Sequence, residues 1–576
     1  MTTRSLWLIL PLLFALPLSA ATVTGRVFLD ADGDGAWQEG EEALAGALVS
    51  DGAQIVTSGA DGIYSLDTDG PTVFVVNPTG TWPSRGFWRL VGDRTTGSDF
   101  PMSRQEQPLP FYFVQGTDHH IRPEIADKMT MYVEAINSLP LPLAFVVHTG
   151  DMVVDVNLAT VPDSRALFEA YQEMVAGLKM PLFHLPGNHE HVAVLREDVP
   201  ADTPGWGKEL YPEYFGPLHY AFTYAGVQFI AMDGTDLVDG KLQYAIPEGC
   251  MAFLETYLQH VEPGTPIVML IHEPFVTLAQ RGRVEELLED YKVLLALSGH
   301  GHGIASWDFA GGKEIMGGAT SYAWHGAGFG PNAMGYHLLK ITGDGFENAF
   351  GDWAEKYPVT VDAPARSDTL TGKVQVRARF LDPAGEVTAV DARIFDSAAT
   401  VDQFGTDGLY RTLTCELDAS QAPDGFEFLQ LVLSGEGEPM VEKQPFLVLT
   451  GRQDEFAARG PAELRLRLHE VAAANAVLVN GVEVAKTAPD AGEGDWLKVE
   501  IAAEQLRRLN AVEVVAAKPA DGEKHDDFWL DGVDMVYEGK VHADQRGYKW
   551  WPYKVVCTGD EPGRRTFYID LTLPEG

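Results

Sequence analysis

The sequence predicts a multidomain chain: a central α/β layered sandwich flanked by all-β sandwich domains. Three observations predict it. Between Leu109 and Gly351, apolar runs of four to six residues alternate with apolar stripes at helical spacing, the pattern of buried strands divided by helices. On either side of that stretch the period falls to two, and Asp-Gly or Asn-Gly turns divide the runs. At roughly 100–200 residues per domain, 576 residues make about three to five folded units. The apolar fraction of 45% and charged fraction of 22% are those of a globular protein and exclude a disordered, collagenous or coiled-coil chain. With 42 Lys+Arg against 83 Asp+Glu the formal charge is −41, so bulk charge supplies no footprint for nucleic acid. A buried phosphate site is compatible with that charge, because surface repulsion is screened beyond roughly 8 Å at physiological salt.

Residues 1–21 read as a signal peptide. Arg4 is their only charge, Leu6 to Leu18 is apolar but interrupted by Pro11 and Pro17, and Ser19-Ala20-Ala21 supplies small residues for cleavage. The mature chain is expected to be exported, to the periplasm or beyond. No other apolar run approaches the ~18 residues of a membrane span.

Residues 22–108 read as a β-sandwich, with strands around Val23 and Val27, Ile63 to Leu66, and Val73 to Val76. Inside it, Asp30, Asp32 and Asp34 with Gly35 and Glu41 occupy positions 1, 3, 5, 6 and 12 of a calcium-wrapping loop. Its flanks are strand-like, so it is no EF-hand; it resembles the calcium loops of Cna-B and SdrD-type repeats of bacterial surface proteins. Residues 109–353 form the α/β domain, and 354–368, rich in Pro, Ala and Asp, read as a linker. Residues 369–450, where Val374, Val376, Ala378 and Phe380 alternate with charged or polar residues, are expected to form an immunoglobulin-like sandwich. Residues 451–576 repeat the alternation at Leu464, Leu466 and Leu468 and are expected to form a galactose-binding-like sandwich. Cys250, Cys415 and Cys557 show no metal or redox spacing; they read as packed thiols, with Cys415 and Cys557 able to pair in an oxidising compartment.

In the central domain, Ile125, Met129, Tyr132, Val133 and Ile136 share one helical stripe, and Leu167, Tyr171, Met174, Val175 and Leu178 another, the second predicting a helix within Val161 to Met180. Each strand-like run ends in a small polar motif. Phe111 to Val114 leads to Asp118-His119-His120, Ala144 to Val147 to Gly150-Asp151, and Leu182 to Leu185 to Gly187-Asn188-His189-Glu190. Ile267 to Ile271 leads to His272, and Leu294 to Leu297 to Gly299-His300-Gly301-His302. Ligands of α/β sheets bind beyond the carboxyl ends of strands, so these endings can converge. Carboxylate, imidazole and amide donors suit Mn, Fe, Ni or Zn. Asp118 and His120, two apart in an extended segment, are expected on one side of the chain, and the glycines before Asp151, Asn188 and His300 are expected to let the backbone turn.

Asp-x-His, Gly-Asp, Gly-Asn-His-Glu, a lone His and Gly-His-x-His, in that order over about 109 to 351, resemble the signature of the calcineurin-like metallophosphoesterase superfamily. Tyr214-Phe215-Gly216-Pro217, Phe229 to Asp233, Gly317-Gly318-Ala319 and Ala323-Trp324-His325 extend the resemblance. It implies one divalent metal on Asp118, His120, Asp151 and His302, and a second on Asn188, His272, His300 and the bridging Asp151. It further implies a free His189 facing a phosphate ester, hydrolysed as a mono- or diester by a metal-bridging hydroxide. Purple acid phosphatases would place Tyr where Val154 stands and Asp-x-Gly where this chain has Asp118-x-His120, so no purple Fe(III) centre is expected. His119, His184, His191, His219 and His325 read as packing or surface residues, with His219 and His325 also candidates to line the pocket. The alternative is a surface carbohydrate-binding or adhesion protein with an inactive scaffold, in which the terminal β domains bind glycan.

Overall fold

The computed structural model describes residues 21–92, 96–122, 126–321, 334–353, 355–365, 368–435, 437–452, 456–469, 471–488, 495–518, 528–545, 553–555 and 564–573. Residues 1–20, which the expected signal peptide covers, and Ile125, Trp324-His325 and Cys557 lie outside them. The chain divides into two compact units, with the break after Glu347.

In the central domain the apolar runs form strands: β1 (Phe111–Gly116), β2 (Leu143–Thr149), β3 (Leu182–Leu185), β4 (Tyr220–Tyr224), β5 (Val227–Ala231), β6 (Pro266–Leu270), β7 (Lys292–Ser298), β8 (Ala305–Phe309), β9 (Gly312–Met316) and β10 (Tyr336–Ile341). One sheet runs β3-β2-β1-β10 and is extended by Phe346–Gly351; β1, β2 and β3 are parallel and β10 is antiparallel to β1. The other runs β4-β5-β6-β7-β9-β8, with four parallel strands and antiparallel edges. Alternation on each strand sends every second side chain between the sheets. Phe111 and Phe113, Phe145 and Val147, and Phe183 and Leu185 meet Phe222, Tyr224 and Phe229 there. Phe183 and Phe222 stack at 3.9 Å, and Phe145 meets Phe229 at 5.1 Å.

Two helices bury apolar stripes, as the spacing predicts. α1 (Ala126–Ser138) buries Met129, Tyr132, Val133 and Ile136. α2 (Val161–Val175) starts on Thr160, whose side chain accepts the Asp163 N–H, with Pro162 in its first turn. It buries Ser164, Phe168, Tyr171 and Val175, while Leu167 and Met174 are only half-buried. The stripe is rotated from the expected one because the Phe168 ring packs on Phe215 at 4.9 Å. Tyr132 and Tyr171 hydroxyls reach opposite nitrogens of His148 on β2, at 2.8 and 2.5 Å, which places both helices on the outer face of this sheet.

The N-terminal region builds two sheets around Val23, Val27, Val49, Tyr64, Val73, Val75 and Phe100. It is not a separate bead, because Phe74 and Val76 point away from that core into the central one. Trp82 meets Phe145, Phe183, Phe222 and Tyr224 at 5.5–6.3 Å. Asn77 satisfies the backbone of Thr223 in both directions, donating to its carbonyl at 2.8 Å and accepting from its N–H at 3.0 Å.

The second unit contains two further two-sheet β regions. The first encloses Val376, Phe380, Val390, Leu431 and Phe446. Part of 354–368 belongs to it: Val359–Ala363 pairs antiparallel with Lys373–Leu381, and Val359 and Val361 pack against the core. This corrects the expectation of a linker there, since alternating valines offer an edge strand the sheet can bury. The second region encloses Leu464, Leu466, Leu468, Val477, Val479, Val512 and Val514, the alternating positions read from the sequence. Among the described residues no helix is long and apolar enough to cross a membrane.

Candidate metal centre

The strand ends deliver the candidate ligands. Asp118 follows β1 by two residues, Asp151 follows β2 by two, Asn188 follows β3 by three, His272 follows β6 by two and His300 follows β7 by two. The backbone around them is tight. Asp118, His120, Asp151, His300 and His302 all have left-handed φ, from 45 to 68°. A non-glycine residue there costs roughly 1–2 kcal/mol, and such outliers cluster at functional sites. This corrects the expected extended Asp118–His120 segment: the strand stops at Gly116, and the two turned residues are held by Asp118 N–H on Gly150 O and His120 N–H on Asp151 O. It also corrects the role of the glycines. Only Gly150 turns with positive φ, whereas Gly187 and Gly299 are required by close approach. A Cβ on Gly187 would meet Asp151 Oδ1 at 2.3 Å, and one on Gly299 would meet Thr117 Oγ1 at 1.9 Å.

The side chains converge in two groups, and His120, Asp151 and His189 make a third that overlaps both. In the first, His302 Nε2 stands 3.2 Å and His120 Nε2 3.8 Å from Asp118 Oδ1, and His120 Nε2 lies 3.8 Å from Asp151 Oδ2. The two Nε2 atoms face one another at 3.0 Å. In the second, His272 Nε2 is 3.1 Å from Asp151 Oδ2, His300 belongs to the same cluster, and Asn188 Oδ1 is 2.9 Å from His300 Nδ1. His272 Nδ1–H donates to the Thr149 carbonyl at 2.7 Å, which turns Nε2 inward. Buried nitrogen and oxygen donors that point at one another, with few protons between them, fit cations. Asp118, His120, Asp151, His272, His300 and His302 thus lie in overlapping groups, with Asn188 beside His300.

Residues 112–303 match the family model described as Calcineurin-like phosphoesterase. The central domain is a calcineurin-like phosphoesterase domain. No curated protein matches the chain. Solved structures to which the chain is similar include the anchor GAP50 of the Plasmodium inner membrane complex (16% identity, 43% of this chain and 85% of that one, TM-score 0.31). A predicted phosphoesterase of Streptococcus pneumoniae is 15% identical over 43% of this chain and 92% of its own, with TM-score 0.22. A putative 5'-nucleotidase of Staphylococcus aureus is 14% identical over 42% and 53%, with TM-score 0.26.

Within the phosphoesterase domain, His189 stands at the margin of the first group, its ring 4.7 Å from His120. Its backbone N–H donates to Asp151 Oδ1 at 2.9 Å, and its Nδ1 accepts the Asp155 N–H at 3.1 Å. In the neutral ring the proton then sits on Nε2, 3.9 Å from Asp151 Oδ2. Burial drives the Asp118 and Asp151 carboxyls upward, but the facing imidazoles, His302 for Asp118 and His272 for Asp151, hold both well below the usual carboxylate range. Burial lowers His120 and His300 to about 4, so both are neutral and able to ligate at neutral pH. Burial also opposes protonation of His272, yet the Asp151 charge beside it holds this imidazole well above its ordinary value. A cation there competes with a proton.

Glu190 went unassigned from sequence although it completes the Gly-Asn-His-Glu motif. Its carboxylate accepts N–H bonds from Asp151, Met152 and Gly187 at 2.8–2.9 Å, which locks the two ligand loops together. Asp155 was missed as well; its carboxylate lies 3.2 Å from His189 Nδ1, and only the fold brings these residues together. His219 does not line the pocket: its Nε2 sits 2.8 Å from the Gly52 carbonyl of the N-terminal region. In the N-terminal loop Asp30, Asp32 and Glu41 bring one oxygen each within 4.8 Å of one another, and Asp34 is not part of that group. Asp34 turns instead to the Ala36 N–H and the Gln38 side chain, at 2.8 and 2.7 Å.

Proposed function

We propose that this chain is an exported phosphoesterase that hydrolyses phosphate mono- or diesters at a pair of divalent transition-metal ions. The domain itself is that of hydrolases acting on phosphoric ester bonds. The observation that carries the finer reading is Asp151, one buried carboxylate that groups with His120 and His189 on one hand and with His272 and His300 on the other. Asp118, His120, Asp151 and His302 would hold one ion, and Asn188, His272, His300 and the same Asp151 the other. Imidazole, carboxylate and amide donors suit Mn, Fe, Zn or Ni. Bound there, two ions supply Lewis acidity, lower the pKa of a water and offset phosphoryl charge.

The chain's own residues supply the remainder. His189 presents Nε2–H beside the donor groups and can protonate the leaving oxygen, a contribution of about 10²–10⁴ in rate. Asp155 holds its Nδ1 through a backbone N–H, and its carboxylate lies 3.2 Å from the same nitrogen. Glu190 fixes the loops carrying Asp151 and Asn188. Export through the leader 1–21, calcium at Asp30, Asp32 and Glu41, and a surface or glycan role for the β domains belong to the same reading.

Metal analysis of protein purified without chelator, beside turnover of mono- and bis-nitrophenyl phosphate, tests it. About two transition-metal equivalents are expected. Asp151→Asn should lose metal and at least about a thousandfold in turnover, the loss of several kcal/mol of metal-supplied stabilisation. Near-normal turnover by that variant, or native protein without near-stoichiometric metal, overturns the proposal.

A further inference from the structure

The donor groups are polar throughout, but their surroundings are not. Among the described residues between Leu109 and Gly351, six large apolar side chains are markedly exposed. Four of them, Leu158, Leu195, Val238 and Tyr244, stand on segments that follow ligand-bearing or central strands, at 40–56% exposure. Leu158 closes a single turn on Asp155, its N–H bonded to the Asp155 carbonyl at 2.9 Å. Leu195 is set beside it by its N–H on the Asn157 carbonyl at 2.9 Å. These leucines therefore flank the side on which Asp155 holds His189.

Tyr244 stands by the other donor group, its ring edge-on to His300 at 4.8 Å. It lies at the foot of a two-stranded ribbon, Thr235–Val238 with Lys241–Tyr244, directly opposite Thr235. That foot is fixed. The Thr235 N–H and hydroxyl both donate to Asp233 Oδ1, and its carbonyl accepts from Lys208, which also pairs with Asp233. The Leu195 loop is tied to the same point through the Val192–Gly207 bridge next to Lys208. The polar centre thus has exposed apolar side chains on neighbouring segments, and the aromatic one, 54% exposed, rises from a fixed stretch of backbone beside His300.

We propose that Tyr244 is a specificity-determining residue that packs on the organic group of the substrate, and that the substrate class is phosphate esters bearing a planar aromatic or apolar group rather than a small polyol. The inference rests on the phosphoesterase reading above. The phosphoryl group is matched by the donor groups and His189, so the organic group must lie outward, toward these exposed side chains. There a rigid ring gains by stacking and by removing apolar surface from water, whereas a polyol would forfeit hydrogen bonds to water.

The test compares the manganese-loaded protein with Tyr244→Ala and Tyr244→Phe on phenyl phosphate and on glycerol 1-phosphate. Each variant is divided by wild type on the same ester, which cancels leaving-group reactivity. Tyr244→Ala should raise KM for the phenyl ester about tenfold and leave the glycerol ester within about twofold, while Tyr244→Phe stays near wild type on both. Calorimetric binding of phenylphosphonate should weaken about tenfold in Tyr244→Ala, with methylphosphonate unchanged. Equal effects on both esters and both phosphonates, or none on any, overturn the role of Tyr244. A wild-type protein that hydrolyses neither ester, nor bis-nitrophenyl phosphate, overturns the phosphoesterase reading instead, and phenylphosphonate binding still decides on Tyr244.

Discussion

Asp151 accepts the backbone N–H of His189 on one oxygen and faces His120, His189 and His272 with the other. A carboxylate so engaged cannot move without disturbing both donor groups. His189 has a different dependence: its Nδ1 is anchored by the Asp155 N–H, and only its Nε2 faces the shared carboxylate oxygen, at 3.9 Å. His189→Ala should therefore retain metal while turnover falls by about 10²–10⁴. Asp155→Asn, which keeps the backbone donor and removes only the charge, should cost about tenfold or less. Metal content and kcat measured together check this, and metal loss in His189→Ala would show that the imidazole is a ligand. The sequence motif names His189 but says nothing of Asp155, because four residues after the Gly-Asp motif no spacing rule identifies a partner.

Loops rather than strands set the geometry of the centre at the scale of elements. Gly187 sits where its missing Cβ would overlap Asp151 Oδ1 and lie 2.8 Å from the His272 ring. Gly187→Ala should displace both ligands and lower bound metal with only local loss of structure, read as metal content against an unchanged far-ultraviolet circular dichroism spectrum. Behind the same loops His119, His148 and His337 are buried. Burial depresses His119 to about 3 and His337 to about 4, and pushes His148 well below its ordinary value. The unfolded chain protonates each near 6.5 while the fold does not, so their contribution is complete above that pH. It is lost as pH falls from about 6.5 toward 4, by about 1.4 kcal/mol per pH unit for each group. Denaturant titrations between pH 7 and 4 check the slope. Strand positions were legible here, since apolar runs of this length can only be buried; the left-handed turns after them were not, because Asp and His carry no propensity strong enough to announce them.

Two sequence regions of the first unit share one aromatic core. The N-terminal sheets contribute Phe74, Val76 and Trp82 to it, and Asn77 caps the Thr223 backbone from across the boundary. Trp82→Ala should destabilise this unit by about 3 kcal/mol, measured by urea unfolding. Deletion of 22–108 should leave the phosphoesterase domain insoluble, because Phe183, Phe222 and Tyr224 would lose the ring that covers them.

By itself the sequence determined the α/β class, the alternating strands of the β regions and the polar motifs at the strand ends, since hydrophobic period and the order of short motifs are local properties. Only the tertiary structure decided that Val359–Ala363 is a strand, that the N-terminal sheets are fused to the central core, that Asp34 stands apart from its neighbours, and that Glu190 and Asp155 serve the centre. Each of these depends on which surfaces meet across long separations, and burial and hydrogen-bond partnership are fixed by that meeting rather than by the residues next along the chain.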